Sequence, residues 1–348
     1  MNTRIYKISL EKELDSQLEI PARILREGGL VAFPTETVYG LGANALNQDA
    51  VERIFWAKKR PATDPIIVHV SSKHMAVSLA TKMPDSAWKL MDAHWPGPLT
   101  LIMQKNEKIP AVVTSHLPTI ALRMPNHPIA LQLIRQAGCP VAAPSANLFE
   151  RPSPTLVAHI LEDLDGRIDA IIDAGSTEIG IESTIVDVSG DVPMLLRPGG
   201  IPVDSIHSTI GMMEVHPSIT HKHHGFQTIS SGMEETHYAP DAQLILVRGQ
   251  GERVKQRMRE LSREATEKGL KVGILLLSND IMVFPGAVVV RLGSKKKDIA
   301  QQLFQSFRKM NEHGVDIIIT QETERSGLGL AINNRLMRAA KKIIETGT

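Results

Sequence analysis

The sequence predicts an α/β protein built as two domains, and three observations predict it. Short apolar runs rich in β-branched residues alternate with segments whose apolar residues fall at helical spacing. The alternation lapses over 207–241 and then resumes in a more regular form. The chain has 348 residues, which is the length of two domains rather than one.

Taken in order, the first part supplies strands at LVAFP (30–34), PIIVHV (65–70), LTLIMQ (99–104), TIALRM (119–124), PVAAP (140–144), DAIIDAG (169–175) and STIVDV (183–188). Each is short and bounded by Gly, Pro or polar residues. Helices fall between them at SQLEIPARILREGG (16–29), DAVERIFWAKKR (49–60), HPIALQLIRQAGC (127–139) and TLVAHILEDLDG (155–166), several stopped by glycine. This domain closes near MLLRPGGIP (194–202), so the boundaries read 1–206 for the first domain, 207–241 for a linker and 242–348 for the second.

In the second domain, LILVR (244–248), VGILLL (272–277), AVVVRL (287–292) and VDIIIT (315–320) are almost continuously apolar. Strands of that kind, separated by helices, predict a parallel sheet covered on both faces. A final helix is expected from Ser326, acting as its cap, to the chain end. SGLGLA (326–331) lacks the spacing and strand context of a dinucleotide loop, so it reads as the start of that helix.

Composition narrows the function. No apolar run reaches membrane-spanning length, and MNTRIYKISLEKELD has acids where a signal peptide has an apolar core. A single cysteine, Cys139, excludes an internal disulfide and a cysteine metal cluster, so the cytoplasm is the expected compartment. Net charge of +1 argues against wholesale electrostatic binding of nucleic acid and leaves a local basic patch open. Six of the thirteen histidines lie in 207–237, including HKHH (221–224), but no frame is evident to hold a metal there, and the reading is a solvated linker. No metal-ligand set is predicted elsewhere.

Four stretches carry residues a fold does not require. FPTETVYGLGANAL (33–46) packs Thr35, Thr37 and Tyr39 with two glycines after a strand, as either a plain connection or a ligand loop. In AKKRPATDPIIVHV (57–70), Lys58, Lys59 and Arg60 end a helix, where they either meet its dipole or grip a polyphosphate, with Asp64 and His69 following. Arg123 sits in an apolar strand and needs a partner, either a ligand carboxylate or phosphate held by its planar fork or a local acid. VAAPSANLFERPSPT (141–155) offers Ser145, Asn147 and Ser153 among stiffening prolines. Farther on, Ser183 and Thr184 begin a strand and Arg197 ends one before two glycines. These groups collect at strand ends, where open α/β sheets bind ligands. With no nucleophile–base set and no paired carboxylates, they point to catalysis by positioning and charge stabilisation, as in nucleotidyl transfer.

PTETVYGLG, the Lys58–Arg60 pair, PSAN and STIVD together resemble the YrdC-like family. With the linker, the second domain and GLGLAINNRLMRAA, the chain from about 15 to 345 is similar to the two-domain threonylcarbamoyl-adenylate synthases. The resemblance implies a twisted, open, mixed sheet followed by a Rossmann-like parallel domain. It implies a nucleotidyltransferase that makes L-threonylcarbamoyladenylate from L-threonine, bicarbonate and ATP with Mg2+, releasing pyrophosphate. The product would go to a threonylcarbamoyl transferase that modifies tRNA beside the anticodon; direct tRNA binding is left open. By the same resemblance, Thr37, His69, Arg123, Ala143 and Ser183 would line the threonine pocket. Arg60, Asp64, Thr119, Ser145, Asn147, Ser153, Arg197 and Tyr238 would face ATP, and Lys58, Arg60 and Arg197 would offset charge in the transition state.

SSGMEETHYAP (230–240) resembles that family's lid, with His237 and Tyr238 in place. It departs from the family pattern at Ser231, where a Pro would stand, and at Glu234, Glu235 and Thr236, where Lys, Tyr and Arg would stand, which predicts weaker nucleotide retention. The competing readings are a carbamoyl-adenylate former and a non-catalytic RNA-binding or ribosome-associated module on the same scaffold.

Overall fold

The computed structural model describes residues 2–221, 230–233, 236–249, 251–278 and 281–346. The chain divides into two compact units, Met1–Phe149 with Ser153–Glu234, and Glu150–Pro152 with Glu235–Thr348. Among the described residues no helix is long and apolar enough to cross a membrane. Glu234, Glu235 and all of HKHH beyond His221 lie outside the described residues.

The first unit runs β1 (Arg4–Lys7), α1 (Leu14–Arg26), β2 (Val31–Phe33), β3 (Gly40–Asn44), α2 (Gln48–Lys58), β4 (Val68–His69), α3 (Lys73–Leu79), α4 (Asp85–His94), β5 (Leu99–Gln104) and β6 (Thr119–Arg123). It continues with α5 (Pro128–Ala137), β7 (Val141–Ala142), α6 (Val157–Leu164), β8 (Ala170–Asp173), β9 (Thr184–Asp187), β10 (Met194–Arg197), α7 (Val203–Ile210) and β11 (Glu214–Val215). The strands form one sheet in the order β1-β8-β2-β3-β7-β4-β6-β5-β9-β10-β11. Parallel and antiparallel neighbours are mixed along it, for example parallel β4–β6 beside antiparallel β5–β6.

Local sequence explains the main helices. In α1 the buried residues Leu18, Pro21, Ala22 and Leu25 recur at the spacing of one helical face. That face packs with Ile129, Ala130, Leu133, Ile134 and Ala137 of α5 and with Val31, Phe33, Val141, Ala170 and Ile172 of the sheet. The Asn47 side chain caps α2 by accepting from Ala50 N–H, and Pro128 opens α5, which ends on the left-handed Gly138.

The second unit runs β12 (Gln243–Arg248), α8 (Gly251–Glu267), β13 (Val272–Leu276), β14 (Val288–Arg291), α9 (Lys296–Glu312), β15 (Ile317–Gln321), α10 (Gly329–Ala339) and β16 (Lys342–Glu345). Its strands lie in the order β14-β13-β15-β12-β16 and every pairing is parallel. Val247, Val272, Ile274, Leu276 and Ile319 from the strands form a core with Val254, Met258, Leu261 and Ala265 of α8.

Several elements differ from the sequence expectation. The last helix stops at Ala339, and Lys342–Glu345 returns as a strand beside β12. Its N-cap is Leu328, not Ser326, whose hydroxyl accepts a hydrogen bond from Lys296 Nζ. GLGAN (40–44), expected within a loop, is a strand because its glycines let it pass close to neighbours. A Cβ on Gly42 would lie 2.8 Å from Val141 Cγ1 and 2.9 Å from the Phe33 ring. Of PIIVHV only Val68–His69 pairs as a strand. The expected linker carries the end of α7, β11 and a short 3-10 turn at Pro217–Ile219.

Candidate active site

Register alone assembles the centre of the site. His69 on β4 pairs with Arg123 on β6, Arg123 with Thr100 on β5, Thr100 with Ile185 on β9, and Ile185 with Arg197 on β10. One row across five strands therefore sets His69, Arg123 and Arg197 along the same edge of the sheet. On β6, Ile120 and Leu122 are buried in the core while Thr119, Ala121 and Arg123 alternate onto the other face. Thr119 and Arg123 stand on that face at opposite ends of the strand, about 13 Å apart at 3.3 Å per residue.

The PTET loop is stitched against this edge from both sides. Tyr39 N–H donates to Pro154 C=O and Tyr39 C=O accepts from Ala146, while Glu36 and Thr37 carbonyls accept from Ile179 and Gly180. Thr35 Oγ1 donates to Val38 C=O at 2.7 Å, so the 2.8 Å contact between the two threonine hydroxyls has Thr37 as its donor. Thr37 Oγ1 is thereby left as an acceptor, and Arg123 Nη1 donates to it at 2.9 Å. Arg123 Nη2 also meets the Glu36 carboxylate at 2.7 Å, with both side chains buried. Of the two partners the sequence left open for Arg123, a ligand anion or a local acid, the structure supplies the acid.

Tyr39 is not free for a ligand. Its hydroxyl donates to Gly175 C=O at 2.7 Å, and burial pushes its pKa up to about 12. His69 is neutral: burial first, and the Arg123 charge second, push its pKa down to about 3. Its ring meets Phe33 edge-on at 6.0 Å.

Two further clusters flank Arg123. Arg197 donates from Nε and Nη2 to Ser183 C=O and from Nη2 to Ser183 Oγ, which lies 2.7 Å from Thr100 Oγ1. Gly199 permits this approach, since a Cβ there would lie 2.3 Å from the Ser183 carbonyl carbon. On the other side, Lys58 Nζ is buried and donates to the carbonyls of Ser145 and Asn147 at 2.5 Å each. Lys58 thus grips the PSAN loop. Arg60 donates to Pro65 C=O at 3.2 Å, lies 3.5 Å from Asp64 and sits 5.9 Å over the Phe149 ring. Ala143 N–H bonds Ile67 C=O, and Ser153 Oγ donates to Glu182 at 2.5 Å.

Arg197 Nη1 also donates to Ser231 C=O at 2.9 Å. Met233 packs with Ile67, Ile102, Ile185, Leu196 and Ala121. Ile102 and Ile185 share the Arg123 face by register, so residues 230–233 cross that face of the first unit. Tyr238 and His237 belong to the second unit. There Tyr238 has a left-handed φ of 63°, stacks on Phe304 at 5.2 Å and lies under Arg335.

The structure adds four residues that sequence reasoning left unassigned: Glu36, Thr100, Glu182 and Phe149. Glu36 and Thr100 had a signal, a buried-strand arginine needing an acid and a polar residue within the apolar run LTLIMQ. Glu182 and Phe149 acquire their roles only through partners brought from far along the chain.

The chain is similar to known proteins over nearly its whole length. A family model described as telomere recombination matches residues 23–199, and one described as threonylcarbamoyl-AMP synthase, C-terminal domain, matches residues 201–341. The threonylcarbamoyl-AMP synthase of Pyrococcus abyssi is 46% identical over 325 residues, covering 93% of this chain and 94% of the relative. That of Bacillus subtilis is 43% identical over 346 residues and 98% of each chain. The crystal structure of P. abyssi Sua5 complexed with L-threonine matches with a TM-score of 0.94 at 44% identity, covering 99% of each chain. A two-unit chain with this mixed sheet, this parallel sheet and both matching models belongs to the threonylcarbamoyl-AMP synthase family.

Proposed function

We propose that the chain synthesises L-threonylcarbamoyladenylate from L-threonine, bicarbonate and ATP, releasing pyrophosphate, and that its product serves threonylcarbamoylation of tRNA. The observation that carries this reading is the register row that sets Arg123, with Thr37 beside it, at the end of one strand and Arg197 at the end of another. Arg123, Thr37, His69, Ala143 and Ser183 form the threonine end. Arg60, Asp64, Ser145, Asn147, Ser153 and Arg197 form the nucleotide end, with Thr119 farther along the same face as Arg123. The relatives' shared name supports the catalytic reading over an RNA-binding module.

In this reading the threonine amine forms a carbamate, a carbamate oxygen attacks the α-phosphorus and pyrophosphate leaves as a nucleotidyl transfer. Arg60 and Arg197 offset the charge that builds on the phosphates. Lys58 acts through the loop: by holding the Ser145 and Asn147 carbonyls it fixes the side chains that meet ATP. Neutral His69 packs at the amino-acid end without repelling Arg123. The segment 230–233 keeps water from the mixed anhydride. Tyr238, assigned to ATP by resemblance, stacks on Phe304 within the second unit.

Magnesium suits the donor set as a companion of ATP. Among the described residues no group of three His, Cys, Asp or Glu is placed to hold a metal. Asp64 and Glu182 lie beside residues assigned to ATP, and Mg2+ typically takes one or two carboxylates together with substrate phosphates. When bound it neutralises phosphate charge.

The test is to supply carbon-13 bicarbonate with ATP, magnesium and L-threonine and to examine the adenylate by mass spectrometry. Label in a threonine-containing adenylate is the expected result. A threonine adduct without label, or no adenylate, would overturn the reading.

A further inference from the structure

Arg123 already faces a carboxylate, and that carboxylate belongs to the protein. Glu36 Oε2 lies 2.7 Å from Arg123 Nη2, with each side chain 5% exposed. The contact is an ion pair without aligned hydrogen bonds: Glu36 Oε1, Glu36 Oε2 and Arg123 Nη2 each lack a hydrogen-bond partner among the described residues. Leaving such groups unsatisfied in the interior is costly. The backbone that carries Glu36 is held in place, because its own carbonyl and that of Thr37 are tied to Ile179 and Gly180 at 2.8 and 3.0 Å.

The other two nitrogens of Arg123 each have a partner. Nη1 donates to Thr37, and Nε donates to Gly97 C=O at 3.4 Å. What remains is a cationic nitrogen with free N–H groups beside a fixed anionic group with free lone pairs. An α-amino acid has the complementary arrangement, an anionic carboxylate and a cationic ammonium on the same carbon. Two histidines border this pair, His69 and His127, and burial lowers the pKa of both, so neither competes as a cation for Glu36 near neutral pH.

We propose that Glu36 receives the α-ammonium of the substrate and is the residue by which the site selects an amino acid over the corresponding 2-hydroxy acid. The assignment rests on the threonine reading of the pocket. Arg123 takes the substrate carboxylate through Nη2, and Glu36, relieved of sole charge balance with Arg123, takes the ammonium. Carbamate formation then proceeds at the nitrogen that Glu36 holds. As the N–C bond forms and the C–OH bond of bicarbonate breaks, one ammonium proton leaves in water and another passes to the Glu36 carboxylate.

Calorimetric binding of L-threonine and of 2,3-dihydroxybutanoate, which keeps the carboxylate and replaces the ammonium by a hydroxyl, tests the assignment. The unaltered protein should prefer threonine by about tenfold or more, the value of one charge-assisted hydrogen bond. Glu36→Gln should abolish most of that preference while changing the affinity of the hydroxy acid little. Equal weakening of both ligands would assign Glu36 to structure alone, and an unchanged preference would remove it from recognition; either result overturns the proposal. Thermal unfolding checks that the variant is folded. If Glu36→Gln is not, Glu36→Asp carries the test: a retained preference supports the proposal and equal binding of the two ligands overturns it. An unaltered protein that binds neither ligand would fell the threonine reading itself, whereas one that binds threonine and is matched by Glu36→Gln would fell only the role of Glu36.

Discussion

Lys58 carries its charge into a fully buried position and spends it on two backbone carbonyls 87 and 89 residues away. Replacing it with Met leaves those acceptors without their donor, at about 1–3 kcal/mol each. Thermal unfolding should show a clear loss of stability, and ATP affinity should fall as the loop loosens; unchanged stability would mean that the carbonyls find other donors. Arg60, proposed to offset phosphate charge, should on replacement by Ala lower turnover by roughly a hundredfold to a thousandfold. Because the buried Asp64 carboxylate then loses its ion-pair partner, the unfolding midpoint should fall as well. Near-normal turnover would remove Arg60 from the chemistry. His69 gives a pH signature. Its folded pKa of about 3 lies below the ordinary value of 6.5, so below about pH 6.5 the unfolded chain binds a proton that the folded protein does not. Stability should therefore fall as pH drops from about 6.5 toward 3, with His69 contributing up to about 1.4 kcal/mol per pH unit. Urea titrations of the protein and of His69→Gln across that window should differ in slope; parallel slopes would contradict a buried neutral imidazole. The identity of these residues as site candidates was legible because charges and hydroxyls stood out against apolar strands. Their partners were not, since the bonds of Lys58, Tyr39 and Ser153 reach across tens of residues of sequence.

At the scale of elements, strand periodicity read well wherever a strand was long enough to alternate. LTLIMQ is β5 to the residue, and TIALR forms β6 with its two faces as the pattern requires. Reading failed where packing overrode propensity. GLGAN forms a strand because its neighbours leave no room for a Cβ at Gly42, and Lys342–Glu345 leaves the helix to pair with the parallel edge that β12 offers. Gly199 marks a close backbone approach at the site. Gly199→Ala would force a methyl group against the Ser183–Thr184 backbone, and should cost on the order of 1–3 kcal/mol while displacing Ser183 from Arg197. Threonine affinity and unfolding midpoint should fall together; a neutral substitution would show that the RPGG turn yields freely. The segment at 230–233 was expected to form a lid only by resemblance. Its anchor is a backbone carbonyl on Arg197 and one methionine on an apolar patch, neither of which leaves a periodic trace.

At the scale of the molecule, strand–helix alternation disclosed two α/β units and the parallel character of the second. The strand order of the large sheet was beyond reach of the pattern, because its neighbours in space, such as β5 and β9, are separated by long stretches of chain. That order produces the row joining His69, Arg123 and Arg197, on which the proposed site is built. The most direct measurement is pyrophosphate release from ATP and magnesium, with L-threonine and bicarbonate added singly and together. Release that requires both is the predicted result, because the carbamate must exist before the α-phosphorus is attacked. Release that is absent, or that ignores threonine, would contradict adenylate synthesis on this scaffold.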